Sequence, residues 1–362
     1  MTNLADVTFF FSRWPLTSAL RHLRFLPLPT SFLSIGAKEE IWPLKQPFRI
    51  SRGSRTEARV VVVTASDGKH IGRGEGIPLA RYNQSTASVL AQIESIAEEK
   101  NLDRQGLQDL LPPGAARNAL DCALWDLEAK ASGKRAWELA NIPIVPEVET
   151  SFTISLDTPA KMSAAASAAA FAQRFGVPRI LKLNLGGDDL DLSRVQAVRE
   201  TAPAARLLID ANESWSPWHY REIVPTLKEL RVELIEQPFP AHTDEVLETL
   251  DHPIPVCADE SCHITADLPR LTNRYEVINV KLDKTGGLTE ALDLCSRAEE
   301  SGFKLLIGCM VCTSLAIAPA RLLASTANWV DLDGPLFLAR DCDHPVPYVN
   351  GKIGIPPREL WG

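Results

Sequence analysis

Three carboxylates stand out in this sequence: Asp210, Glu236 and Asp259, spaced 26 and 23 residues apart. Each follows a short apolar run, Leu207-Leu208-Ile209, Leu234-Ile235 and Val256-Cys257-Ala258. A single carboxylate in that place is often just the N-cap of the next helix. Three in succession point instead to one shared site, and an oxygen-only donor set suits magnesium or manganese better than zinc or copper. Two lysines accompany them. Lys182 and Lys281 lie in Ile180-Leu-Lys182-Leu and Val277-Ile-Asn-Val-Lys281, and for Lys182 the apolar flanks place it in a buried strand and argue against a snorkelling surface lysine. Alternation sets Asn279 and Lys281 on one strand face and leaves Lys284 to the Gly286-Gly287 loop, so Lys281 is the better base. A lysine near a bound cation has its ammonium form disfavoured, which brings it towards the range useful for proton abstraction. The cation stabilises the enediolate formed when the α-proton of a carboxylate is removed.

The elements that must hold these groups alternate strictly after Glu149. Strands read at 150–156, 180–183, 206–210, 233–235, 256–258, 277–282, 304–307 and 329–332. Helical stretches read at 160–175, 189–201, 217–230, 243–250, 266–272, 288–301 and 315–327. Eight strands with seven helices in roughly 185 residues match a (β/α)7β modified TIM barrel, short of its last helix. A doubly wound open sheet is the competing architecture, but no Gly-rich dinucleotide fingerprint follows any strand. In a parallel barrel, catalytic groups project from the C-terminal strand ends. That adds Thr153, Cys309 and the pair Asp331 and Asp333, although Asp333-Gly-Pro335 is also strong turn chemistry. Lys182 and Lys281, on strands two and six, would face each other across the carboxylates.

Residues 32–147 show no such alternation. Arg59–Thr64 reads as a buried strand with Ser66-Asp67-Gly68 as its turn. Helices follow at 85–99 and 115–132, the second ended by Gly133 and striped by Leu120, Leu124, Leu127 and Ala131. This reads as an α+β capping domain, completed by residues 340–362, with the barrel over 148–339. Residues 1–31 hold one acid, Asp6, and three arginines. They read as a poorly packed or targeting-like extension without a clean signal-peptide core.

The 38 basic against 46 acidic residues, a net charge of −8, argue against a nucleic-acid binder. No run of ~18 uncharged apolar residues suggests a membrane span. Seven cysteines, an odd number in a long chain, favour reduced thiols and a cytoplasmic setting. Cys309-Met-Val-Cys312 has no second pair at ligand spacing, so zinc is not expected.

In combination, several motifs resemble the enolase superfamily, specifically its dipeptide epimerases of the L-Ala-D/L-Glu type. They are Asp210-Ala-Asn-Glu-Ser-Trp215, Glu236-Gln-Pro238, Ala258-Asp-Glu-Ser-Cys-His263, Asn279-Val-Lys-Leu-Asp-Lys-Thr-Gly-Gly287, Gly308-Cys-Met-Val-Cys-Thr-Ser314 and Asp331-Leu-Asp-Gly-Pro335. The likeness covers roughly residues 32–362. It implies one magnesium ion per subunit on Asp210, Glu236 and Asp259, with Lys281 as catalytic base. It also implies substrate contacts. Asp331 and Asp333 would take the α-ammonium of a small dipeptide. Arg55, in Ser51-Arg-Gly-Ser-Arg55, would pair with a substrate carboxylate, and Thr153, Lys182 and Cys309 would make further contacts. The implied activity is epimerisation through an enediolate, within peptidoglycan peptide metabolism; a homo-oligomer is left open. A paired carboxylate suits a cation and an arginine fork suits a carboxylate.

One position departs from the family. Its second strand carries Lys-x-Lys, the second lysine being an acid/base group, whereas here the stretch is Lys182-Leu-Asn184. An amide exchanges no proton near neutral pH, and loss of one positioned acid/base costs typically ~10²–10⁴-fold. Water or Lys182 could substitute, the reaction could use one base, or the protein could be a metal-dependent dipeptide binder without activity. A lyase or cycloisomerase of the succinylbenzoate-synthase kind would use the same metal and lysines without needing an ammonium site.

Overall fold

The computed structural model describes residues 33–99, 102–171 and 179–362. The extension read at 1–31 lies outside them. Strand β1 (Ser34–Ile50) and β2 (Gly53–Ser66) form a long antiparallel hairpin, and β3 (Ile71–Gly76) pairs with the other edge of β2. The run Val60–Val63 makes β2 the buried centre, as β-branched residues favour. Its side chains alternate: Val61, Val63 and Ala65 face the cap's own core, while Ala58, Val60 and Val62 join the core shared with the barrel. The register of β1 shifts between Pro43 and Phe48, next to two prolines, Pro43 and Pro47, that can donate nothing to a ladder.

Helices α1 (Thr86–Ser95), α2 (Arg104–Leu110), α3 (Ala115–Ser132) and α4 (Ala136–Leu139) complete this unit. Ser85 and Asp103 cap α1 and α2 by accepting backbone N–H groups. The apolar stripe read on α3 is only half of its burial. Leu120, Leu124 and Leu127 face the cap core, Cys122, Trp125 and Ala129 face the barrel side, and Ala131 is exposed instead. The helix crosses β3 at Gly72, Gly74 and Gly76. A Cβ on any of these would collide with the carbonyl oxygen of Ala123, Ala119 or Ala115. Gly133 ends α3 in the left-handed conformation, φ 71°.

After β4 (Val148–Glu149) come eight parallel strands in sequential order. They are β5 (Phe152–Ile154), β6 (Ile180–Asn184), β7 (Arg206–Asp210), β8 (Val232–Glu236), β9 (Val256–Ala258), β10 (Val277–Val280), β11 (Lys304–Gly308) and β12 (Trp329–Asp331). The Ser151 N–H donates to Val330 O at 2.9 Å and nearly closes the barrel. Outside it lie α5 (Pro159–Phe171), α6 (Asp191–Thr201), α7 (Pro217–Glu229), the one-turn α8 (Leu282–Thr285), α9 (Leu288–Glu300) and α10 (Ser314–Leu323). Two stretches read as α-helix, 243–250 and 266–272, are short 3₁₀ segments, Asp244–Thr249 and Thr265–Arg270; Pro269 interrupts the second. The strand read to Leu282 stops at Val280, because Lys281 already caps α8.

The chain end returns across the cap. Strands β13 (Tyr348–Val349) and β14 (Lys352–Ile353) form a small sheet with β4. Leu360 and Trp361 are buried, Trp361 Nε1 donates to Cys122 O at 2.9 Å, and Gly362 N donates to Asp126 at 2.7 Å. Among the described residues no helix is long and apolar enough to cross a membrane.

Candidate active site

The strand ends converge at the barrel mouth. Asp210 and Glu236 close β7 and β8, Asp259 follows β9, and all three are at most 3% exposed. Among the described residues no three His, Cys, Asp or Glu side chains stand ready as a cation cage. Two ammonium groups lie among the carboxylates instead. Lys182 on β6 sits 3.1 Å from Asp210, 2.7 Å from Glu236 and 2.9 Å from Asp331. Lys281 sits 2.6 Å from Asp259 and 3.8 Å from Glu236. Gly308 at the end of β11 makes room there, since a Cβ would press on Asn279 and the Lys281 chain.

Burial opposes the charge on Lys182, but Asp210, Asp331 and Glu236 together hold its ammonium well above the usual lysine range. Lys281 is held up in the same way by Asp259 and Glu236 against burial. Burial and then Asp210 push Glu236 up to about 8, while for Asp259 the two lysines, Lys281 and Lys284, overcome burial and hold it well below its ordinary value. Six buried carboxyl groups (Asp210, Glu236, Asp259, Glu260, Asp331 and Asp333) meet four cations, Lys182, Lys281, Lys284 and Arg52. Asp210, Glu236 and Asp259 present oxygen donors only, which suits one divalent cation, and its charge would favour the ionised form of Glu236.

The remaining candidates line the same cavity of about 530 Å³: Arg55, Thr153, Cys309, Asp331 and Asp333. Asp331 is already engaged, by Lys182 and by the Ser151 hydroxyl. Asp333 accepts the Thr153 N–H at 2.6 Å, and burial followed by the Asp331 charge pushes it up to about 8. Arg55 is exposed at the hairpin tip and forms no ion pair among the described residues.

Sequence reasoning missed several residues. Lys284 is not a loop lysine: α8 turns it inward, fully buried, 2.7 Å from Asp259. Asn279 Nδ2 donates to Glu236 at 2.7 Å. Gln237 Oε1 accepts the N–H groups of Asp259 and Ser261 at 2.9 and 3.1 Å and so fixes the loop after β9. Arg52, beside Arg55, donates to Asn212 O, Glu213 and Glu260 at 2.8, 3.2 and 2.6 Å. Consecutive left-handed residues, Asn212 (φ 47°) and Glu213 (φ 65°), turn the β7 loop to meet it, the kind of strain that collects at functional sites. The Asp-Ala-Asn-Glu run was the available signal, as Asn tolerates that conformation.

Fold and site together define a capped barrel with acidic strand ends and lysines on facing walls. The chain belongs to the enolase superfamily: residues 34–140 match the mandelate racemase / muconate lactonizing enzyme N-terminal domain and residues 161–359 the enolase C-terminal domain-like family. It is 46% identical to the L-Ala-D/L-Glu epimerase of Escherichia coli (strain K12), over 88% of this chain and 98% of that one. It is 43% identical to an N-acetyl-D-glutamate racemase from Pseudoalteromonas sp, over 84% and 95%. A solved enolase family member from Agrobacterium tumefaciens, with homology to dipeptide epimerases and with bound sodium and L-Ala-L-Glu, superposes with a TM-score of 0.87. It is 45% identical over 91% of this chain and all of that one. A dipeptide epimerase from Enterococcus faecalis V583, complexed with Mg and L-Leu-L-Tyr, gives 0.82 at 26% identity, over 89% and 96%.

Proposed function

We propose that this protein is a magnesium-dependent isomerase that removes the α-proton of a small dipeptide, in the manner of an L-Ala-D/L-Glu epimerase. The observation that carries the reading is Lys281, buried against Asp259 in a cavity also lined by Asp331, Asp333 and Arg55. The E. coli and Pseudoalteromonas relatives, named epimerase and racemase, favour proton transfer at one carbon over the lyase and cycloisomerase readings. Asp210, Glu236 and Asp259 would hold the magnesium, which when bound supplies positive charge that stabilises the enediolate. With that charge offsetting the carboxylates that otherwise keep it protonated, Lys281 would be freed to accept the α-proton. Asp331 and Asp333 receive the substrate ammonium, whose charge would return Asp333 to its ionised form. Arg55 pairs with the terminal carboxylate, while Thr153, Lys182 and Cys309 border the substrate. Peptides derived from peptidoglycan and present in the cytoplasm would be the source; the seven free cysteines are compatible with that reducing setting.

A second substrate class is favoured by one observation: Asp331 is already paired with Lys182, which reduces the charge left for an ammonium. An N-acyl amino acid needs no ammonium site, and the Pseudoalteromonas relative is named for such a substrate. A panel of free dipeptides and their N-acetylated forms, followed by α-proton loss in deuterated water, separates the two. Turnover of free dipeptides only is expected. Activity confined to blocked compounds would overturn the dipeptide reading, and no exchange with any of them would overturn both.

A further inference from the structure

Epimerisation takes a proton from one face of the α-carbon and returns one to the other. In the barrel, Lys281 follows β10 and Asn184 ends β6, strands four places apart in an order of eight and so on opposite walls. Asn184 is 2% exposed and lines the cavity, yet its Nδ2 has no hydrogen-bond partner among the described residues. Native proteins seldom leave a buried donor unmet, unless a ligand brings the acceptor. The amide itself cannot carry a proton between water and carbon. Lys182, two residues earlier on that wall, points its ammonium at three carboxylates, Asp210, Glu236 and Asp331.

We infer that the fast proton transfer in this protein is one-faced: Lys281 takes and returns the proton, inversion runs at least ~10² times more slowly with water as donor on the second face, and Asn184 anchors the substrate from the opposite wall through a hydrogen bond to one of its oxygens. The inference rests on the α-proton reading above. The Lys281 amine removes the α-proton, and the C–H electron pair passes into the enediolate. The resulting ammonium exchanges N–H for N–D with deuterated water, and a deuteron returns to the face the proton left. The product is the starting stereoisomer carrying one α-deuterium, and the amine is regenerated.

The test uses the full chain with magnesium and either L-Ala-L-Glu or L-Ala-D-Glu in deuterated water. Loss of the α-proton signal is read by NMR, and inversion by chiral chromatography. One diastereomer should exchange with retained configuration at least ~10² times faster than it inverts, the lower end of what a missing acid/base costs. N184K should bring inversion to within about tenfold of exchange, since it restores a proton carrier to that wall. N184A should raise KM about tenfold for exchange while leaving it one-faced, as loss of one substrate hydrogen bond predicts. Wild-type inversion that keeps pace with exchange would overturn the inference and leave the epimerase reading standing. An unchanged KM in N184A would overturn the anchoring role. Exchange absent from wild type and N184K alike would remove the α-proton reading, and this inference with it.

Discussion

Replacing Arg52 with alanine tests whether the hairpin tip closes the site. Arg52 spans from the cap to two barrel loops, and its bond to Glu260 is the shortest of its three contacts at 2.6 Å. The Arg52 side chain is 34% exposed and that of Glu260 only 3%. The pair therefore falls between an exposed bridge, worth about 0–1 kcal/mol, and a buried one, whose breakage costs about 3–5 kcal/mol. Glu213 keeps Arg81 at 2.7 Å, so the loss centres on Glu260 and on the Asn212 carbonyl. About 2 kcal/mol follows, or roughly 30-fold in an equilibrium constant. Because Arg55 rides on the same tip, the effect should fall on substrate capture. KM for dipeptide should rise about 30-fold while kcat moves by less than about threefold. Arg52→Lys should recover part of the loss, since an ammonium can meet Glu260 but lacks the planar fork. Initial rates of α-proton exchange at saturating magnesium, with the melting temperature as a control for folding, measure this. A KM within twofold of wild type in a folded Arg52→Ala protein would refute the latch.

Magnesium should raise the melting temperature of the wild type and not of Asp259→Asn; an equal shift in both would remove Asp259 from the metal site. Trp361→Ala should lower stability by about 3–5 kcal/mol in urea denaturation, because it empties a fully buried site and drops the bond to Cys122 O; a loss below about 1 kcal/mol would mean the chain end is not part of the cap's core. Glu75 is buried against Thr313 on the barrel, and burial outweighs the Thr313 hydrogen bonds to push its carboxyl up to about 8, from an ordinary value of 4.5. The folded state then binds more protons than the unfolded between those values, so this contribution is full below pH 4.5 and is lost as pH rises through about 8. The stability advantage of wild type over Glu75→Gln should accordingly shrink between pH 4.5 and about 8, and a constant difference would contradict the assignment.

The carboxylate-bearing strand ends were legible because each follows an apolar run with a clear stop. The strand at 206–210 matches β7, and that at 256–258 matches β9. Lys284 was not legible, because alternation holds only while the chain stays extended. At Lys281 it turns into α8, and the next lysine rotates inward rather than out. Arg52 and Arg55 could not be told apart as latch and free cation, since the partner that distinguishes them, Glu260, lies 208 residues away. The hairpin strand β1 escaped notice for a different reason. It is an edge strand with prolines and a mostly exposed face, so it lacks the apolar alternation that announces a strand.

The close crossing of α3 over β3 bears on how substrate preference can change. With three glycines beneath it, the helix sits near enough to the sheet for its other side to grip the barrel. Asn118 reaches Asp283 at 2.8 Å, Arg117 reaches Thr285 O at 2.7 Å, and Trp125 reaches Thr289 at 3.0 Å. The cap is thus moored from behind, while residues 53–55 overhang the cavity beyond the Arg52 tie to Glu260, with no buried side chain of their own. Substitutions in the overhang can retune which dipeptide is held without loosening the mooring. Selectivity and fold stability are therefore free to drift separately in this chain.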